Sequence, residues 1–486
     1  MRTTDNKSLT TYIQTLIFFF CMAIGFTGCK KFIEVDAPVT SVNAGNVYHD
    51  NSTASAVITS LYANMSNTFG SSGITEVSLI TDLSADNLSL FDLSDQYYTQ
   101  SYQNALTSDY ITGINFWKSI YPNIYTCNAA IEGLTSSTTL TPAVKQRLLG
   151  EAYFLRAFHY FYLVNLFGDV PLVLKTDYSV SNVTSRTAAG IVYQQILSDL
   201  NQSKDLLDDR YLGADVLSTT TERIRPNRAA VYAMIARAQL YLKKYAEAEA
   251  ATNTVISLTS LYSSNIPLNQ VFLRNSQETI WALQPVKATF NTDEAYIFVL
   301  PVGGPNNIVN KVVASNQLMN SFEISDQRKV QWTSSVTADG ITYPYVSKYK
   351  ALPGSALTEY TIVLRIAEQY LIRAEARAQQ SNLTGAIADV DVIRNRAGLP
   401  LIHDTNPGIS QADLLTAIAK ERREELFTEW GHRWFDLKRT GKIDNVMSTV
   451  TPLKGGGAWS SYKALYPVPA SEIKINSVLT QNQGYN

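Results

Sequence analysis

The chain has 486 residues, with 40 Lys plus Arg against 42 Asp plus Glu, a formal net charge of −2, and a hydrophobic share of 45%. That apolar content supports a substantial core and excludes a disordered chain, and the balanced charge excludes a protein that holds nucleic acid by bulk electrostatics. Tyrosine is the unusual count, 28 against 18 Phe and 6 Trp, a composition that suits wet binding surfaces as well as helical cores.

Residues 11–29 read TYIQTLIFFFCMAIGFTGC behind Arg2 and Lys7. A charged start, an apolar run from about Leu16 to Phe26 and an exit through Thr27 and Gly28 describe a secretory signal over residues 1–28. The run is shorter than the roughly 20 residues that a bilayer crossing needs. Phe26-Thr27-Gly28-Cys29 resembles the lipobox of bacterial lipoproteins, with Phe26 where Leu is more usual. On that resemblance Cys29 becomes the mature N-terminus and carries the acyl chains, palmitate among them, each buried methylene contributing about 0.8 kcal/mol of membrane affinity. Of the three cysteines, Cys21 leaves with the leader and Cys29 is acylated, so Cys127 has no partner for an intramolecular disulfide.

Downstream, Leu148, Ala152, Leu155, Phe158 and Tyr162 recur at helical spacing between Val144 and Phe167. Phe154, Phe161 and Val164 fall off that stripe, which predicts a helix packed between neighbours on several sides. Gly168 and Pro171 end it. Two later segments repeat each other: Tyr232, Ala236, Ala248 and Val255 are spaced as Tyr370, Ala374, Ala386 and Ile393. Turns at Lys243-Lys244 and at Ser381-Asn382-Leu383 lie between the alanines. Small residues twelve apart across a turn let two antiparallel helices approach closely, the packing of tetratricopeptide-type hairpins. A further helical pattern runs from about Gln411 to Lys438 with a possible break at Gly431. Polar stretches at 92–113, 257–276, 291–316 and 333–355 are too long for simple connectors and read as functional loops on a helical scaffold.

Six blocks in order then resemble the SusD/RagB family of outer-membrane nutrient-binding lipoproteins. They are Gly150-Glu151-Ala152 through Pro171, Arg225 to Leu242, Glu278 to Gln284, Arg365 to Ala376 running on to Leu399, Glu421 to Arg439, and Tyr466 to Asn482. The resemblance implies a mostly α fold, a superhelix of tetratricopeptide-like hairpins with loop-rich insertions, over residues 29–486, with an N-terminal half at 29–220 and a C-terminal half at 221–486. It also implies a non-catalytic protein that binds glycans or other nutrients, with a SusC-like TonB-dependent transporter as partner.

The residues that look chemical read as structural. Glu425 and Glu429 are one helical turn apart, and Arg422 can neutralise Glu425 at three residues' spacing, so an ion-pair network is expected where a glycosidase would need two carboxyls across a cleft. Arg365/Glu368 and Glu151/Arg156 read likewise. His432 is one of four His, and no His-x3-His or Cys-x2-Cys spacing occurs, so neither a catalytic metal nor a cofactor is expected. Asp82 and Asp86 read as solvated loop acids, with calcium ligation by oxygen the alternative. Gly303-Gly304 and Gly455-Gly456-Gly457 precede no Lys-Ser or Lys-Thr, and no Gly-x-Ser-x-Gly elbow appears.

Loop aromatics are the better lead, because flat rings cover the C–H faces of sugars at low entropic cost while nearby amides and carboxylates take the hydroxyls. The candidates for ligand binding are Tyr97, Tyr98, Tyr102, Tyr296, Trp332, Tyr343 and Tyr345, with Tyr110, Phe290 and Trp459 in the wider set. The expected protein is a lipid-anchored outer-membrane glycan receptor that serves a transporter. Outward exposure is expected although Lys30-Lys31 replaces the acidic run often tied to surface export. The rival readings are a surface glycosidase, a helical-repeat scaffold for proteins, and peptide import.

Overall fold

The computed structural model describes residues 47–66, 73–177 and 183–485. The leader at residues 1–28 and Cys29 lie outside the described residues. Among the described residues no helix is long and apolar enough to cross a membrane.

The helices that build the frame are α1 (Asn51–Ser66), α2 (Val77–Ser84), α3 (Thr99–Tyr102), α4 (Ile111–Ser136), α5 (Pro142–Phe167), α6 (Ala189–Leu206), α7 (Arg228–Tyr241) and α8 (Tyr245–Ile256). In the second half they are α9 (Asp293–Phe298), α10 (Gln327–Trp332), α11 (Ile366–Gln379), α12 (Leu383–Arg396), α13 (Gln411–Leu426), α14 (His432–Arg439), α15 (Ile443–Leu453) and α16 (Ala470–Ile475). Helix α5 begins with Pro142 at its first turn, where a missing N–H costs nothing, and ends at Gly168 with φ +73°. Phe154, Phe158, Phe161 and Tyr162 are all buried, because α1, α4, α6 and α7 surround α5. Gly150 permits the closest of these approaches: a Cβ there would sit 2.5 Å from Leu207 Cδ2.

The repeat folds as two hairpins, α7/α8 and α11/α12. Ala236, Ala248, Ala374 and Ala386 are fully buried where the paired helices meet. Each first helix closes through the same pair of backbone bonds, Lys243 N to Leu240 O (3.0 Å) with Lys244 N to Gln239 O (2.9 Å), and Ser381 N to Ala378 O (3.0 Å) with Asn382 N to Arg377 O (2.9 Å). Lys243 (φ 59°) and Ser381 (φ 65°) occupy the left-handed position that glycine usually takes. The hairpins stack through α8 on α11, where Arg377 Nε reaches Glu249 Oε1 at 2.8 Å and Arg373 Nη1 donates to Asn253 Oδ1 at 2.8 Å, and α13 continues the stack. Gly431 (φ 78°) separates α13 from α14, as its position in the sequence suggests.

Short strands carry the loop lobe. β1 (Leu88–Leu90) pairs antiparallel with β3 (Val312–Ala314), and β2 (Thr279–Leu283) with β6 (Thr361–Arg365). β4 (Thr333–Ala338) and β5 (Ile341–Val346) form a hairpin in which Val336 faces Tyr343 and Ser334 faces Tyr345. The stretch 333–355 is therefore not a plain loop: Asp339 (φ 51°) and Gly340 (φ 77°) make the tight turn that matches strand twist. The lobe has its own core of Leu79, Leu83, Leu88, Phe272, Phe298, Val312, Trp332 and Phe427. The main core, in contrast, draws on residues from Ala54 to Val468 and is shared by both halves of the chain.

The ion-pair reading holds as a class, but each pair inferred from adjacency takes another partner. Glu425 accepts from Arg365 Nη1 at 2.5 Å and from Arg396, with Arg328 Nη1 at 3.5 Å, and not from Arg422, which binds Asp436 (Nε–Oδ2 2.7 Å). Arg365 also binds Glu429 (2.7 Å) and Glu278 (3.1 Å), whereas Glu368 binds Arg237 (2.7 Å). Glu151 binds Arg147 (2.9 Å) and Arg225 (2.6 Å), and Arg156 binds Asp199 (2.7 Å). Intrahelical spacing alone brings charges together on a solvated face; these groups are buried, and apart from the Arg147–Glu151 bond within α5 each of these partners comes across from another segment.

Candidate functional site

A cavity of about 260 Å3 opens in the loop lobe. Its apolar floor is Leu79, Phe298 and Val312, all part of the lobe core. The start of α2 contributes Glu76 and Ser78, the turn before α3 contributes Tyr97 and Tyr98, α9 contributes Asp293 and Glu294, and the approach to β3 contributes Ile308 and Lys311.

The local sequence fixes each wall. Asp95 Oδ1 accepts from the backbone N–H groups of Tyr97 (2.8 Å) and Tyr98 (3.0 Å), so one side chain shapes the turn that presents both rings. Thr112 Oγ1 donates to Tyr97 O at 3.1 Å and Asn115 Nδ2 to Tyr97 Oη at 3.2 Å. The two rings stand edge to face, centroids 4.9 Å apart at 81°. Tyr98 Oη donates to Glu76 Oε1 at 3.0 Å, and burial together with that carboxylate pushes the phenol far up. Thr292 caps α9 by accepting from Ala295 N at 3.1 Å. Asn310 Nδ2 donates to the carbonyls of Tyr296 (2.9 Å), Ile297 (3.1 Å) and Val299 (3.0 Å), which locks the opposite wall to the end of α9.

Charge in the cavity is mostly negative. Burial pushes Glu76 up to about 7, and its Oε2 has no hydrogen-bond partner. Burial likewise pushes Glu294 up to about 7, although Thr361 Oγ1 donates to its Oε2 at 2.8 Å. Lys311 Nζ is held by Asp95 Oδ2 at 2.6 Å and lies 5.5 Å from the centroid of the Tyr98 ring. The arrangement offers ring faces, an apolar floor and a surplus of acceptors.

Outside the lining, Phe91 is 42% exposed and meets Tyr343 edge-on at 6.0 Å and 80°. Phe91 N donates to Lys311 O at 2.8 Å, a backbone bond to one residue of the cavity wall. Sequence reasoning does not single out Phe91, which follows β1 directly and precedes the polar stretch that begins at Asp92; its signal is an aromatic between a strand and a loop.

The remaining candidates scatter. Trp332 is a correction: it ends α10, is fully buried, donates from Nε1 to Leu268 O at 2.9 Å and packs on Phe272, so it belongs to the lobe core. Tyr110 is also buried, bonded to Ser101. Tyr102 is half-buried with Lys454 Nζ 5.2 Å from its ring, away from the cavity lining. Tyr296 leans on Phe290 at 5.3 Å, beside the cavity rather than in it. Tyr345 is half-buried on the face of β5 that carries Tyr343, and Trp459 packs on Trp434 at 6.1 Å with Nε1 on Asp444.

Asp82 and Asp86 are buried, not solvated: Asp82 Oδ2 accepts from Thr428 N at 2.6 Å, and Asp86 is held at about 2 by Arg433 (2.7 Å) and Arg423 (3.0 Å). Among the described residues no group of three or more His, Cys, Asp or Glu could hold a metal ion. Glu425 and Glu429 are enclosed by guanidinium and ammonium groups and face no cleft.

A family model described as "Starch-binding associating with outer membrane" matches residues 36–242, and one described as "SusD family" matches residues 315–485. The chain belongs to the SusD/RagB family. A SusD-like protein of Formosa agariphila is 23% identical over 549 residues, covering 98% of this chain and 99% of the relative. The starch-binding protein SusD of Bacteroides thetaiotaomicron is 24% identical over 445 residues, covering 73% of this chain and 74% of the relative. Among solved structures, a SusD superfamily protein from Bacteroides vulgatus superposes with a TM-score of 0.77 at 18% identity over 90% of this chain and 100% of its own. A laminarin-binding SusD-like protein superposes at 0.70, with 22% identity over 89% and 99%. The mostly α, tetratricopeptide-like SusD fold is thus the fold of this chain.

Proposed function

We propose that this protein is a non-enzymatic lipoprotein of the outer membrane, anchored through Cys29 and facing outward, that captures oligosaccharides and delivers them to a SusC-like TonB-dependent transporter. The observation that carries the reading is the cavity itself: an edge-to-face tyrosine pair over an apolar floor, with an unpartnered carboxylate oxygen at its side. A sugar ring needs a flat apolar surface for its C–H face and acceptors for its hydroxyls, and this wall supplies both. Relatives named for starch binding and similar structures named for laminarin and surface-glycan binding agree with this class of ligand. The lipobox and a family described as associating with the outer membrane support the location.

The carboxyl pair nominated for a glycosidase, Glu425 and Glu429, is sealed in a salt-bridge network and faces no cleft, and of the cavity's own carboxyls Glu76 is engaged by Tyr98 and Glu294 by Thr361. A bare protein scaffold has no use for a built cavity.

The test is binding. Replacing both rings, Tyr97→Ala with Tyr98→Ala, removes two aromatic contacts worth about 0.5–1.5 kcal/mol each, so affinity falls about fivefold to 140-fold. The single Tyr97→Ala variant, which leaves the Tyr98–Glu76 bond in place, falls about twofold to twelvefold. Affinity gel electrophoresis and calorimetry read both, with the melting temperature as a fold control. Unchanged affinity in a folded variant removes this cavity from the ligand site.

A further inference from the structure

We infer that the cavity selects uncharged saccharides and rejects glycans that carry carboxylate or sulfate groups, an inference that rests on the glycan-binding reading of the same cavity. Glu76, Asp293 and Glu294 line it, and Asp95 stands directly behind its one lining lysine. That lysine, Lys311, spends its charge on Asp95 at 2.6 Å and so offers no free ammonium to an incoming anion. The next cation, Lys287, belongs to the adjoining recess, where it lies 5.5 Å from the centroid of the Phe290 ring. Four carboxyl groups therefore stand against two ammonium groups.

The orientation of the acceptors makes the point sharper. Glu76 Oε1 is occupied by the Tyr98 hydroxyl, and Oε2 is buried without a donor. An uncharged sugar hydroxyl entering here donates to the carboxyl wall of Glu76, Asp293 and Glu294. A uronate or sulfate entering here brings acceptors to an acceptor and a like charge into a partly enclosed, apolar-floored space where water screens it poorly. Burial already holds Glu76 and Glu294 near 7, and a second anion pushes both higher, so rejection is strongest above neutral pH, where both are ionised.

The experiment titrates the full-length lipoprotein in neutral detergent at pH 8 and low ionic strength. Uncharged probes are maltoheptaose, laminarihexaose, cellohexaose and xylohexaose; acidic probes are galacturonate, alginate and carrageenan hexamers. At least one uncharged probe binds, every acidic probe binds at least about tenfold more weakly, and Glu76→Gln narrows that gap about tenfold. An acidic probe that binds as tightly as the best uncharged one, and is lost with Tyr97→Ala, overturns the charge selection while leaving capture intact. If no probe of either class binds, the glycan reading itself fails and the selection falls with it.

Discussion

Glu425 receives three guanidinium groups in a space with almost no water, and Arg365 in turn joins Glu278, Glu425 and Glu429 across three different elements. Such a group is stable only as a whole, because removing one partner leaves a buried charge uncompensated. Arg365→Met is therefore expected to cost about 3–5 kcal/mol in urea denaturation, far more than loss of an exposed pair such as Arg210–Asp208, worth about 0–1 kcal/mol. A cost below about 1 kcal/mol for Arg365→Met would contradict the network. The charged block Glu421 to Glu429 was legible as structural, but its wiring was not. Arg422 sits three residues from Glu425, yet the chain between Leu426 and Gly431 turns so that Asp436 of α14 meets Arg422 instead. A single sequence carries no record of which helix a buried charge will face.

Elements with a strong period and a strong stop were readable: α5 between Pro142 and Gly168, and the paired hairpins from alanines twelve residues apart. Their turns carry Lys243 and Ser381 at positive φ, a conformation that costs an L-residue roughly 1–2 kcal/mol relative to glycine before glycine's own entropy is counted. Ser381→Gly is accordingly expected to raise stability by about 0.5–1 kcal/mol, read as a higher melting temperature; a loss would mean that Ser381 makes contacts the hairpin needs. The short strands escaped detection. β1 and β3 have three residues each, too few for an alternating pattern to show, and TIWAL and TIVLR in β2 and β6 are buried on both faces and show no alternation either. Trp332 was misplaced for a related reason: it lies among polar neighbours in sequence, and only the lobe core, assembled from distant segments, takes it out of solvent.

At the scale of the molecule, a helical stack holds a second, smaller core, and that core forms the floor of a cavity whose walls come from four separated stretches of chain. Two of the seven nominated aromatics, Tyr97 and Tyr98, line it, and Tyr343 pairs with Phe91 outside the lining. The kind of residue was legible and the meeting point was not, because the approach of α9 to the turn before α3 is set by tertiary packing. Capture without cleavage is the claim on which the rest depends. The most direct measurement is a crystal structure of the protein with its tightest-binding uncharged oligosaccharide, the soaking solution being analysed by mass spectrometry. The account predicts an uncut chain lying against Tyr97, its hydroxyls toward the carboxyl wall of Glu76, Asp293 and Glu294; sugar seated elsewhere on the molecule, or a shortened chain in the solution, would contradict it.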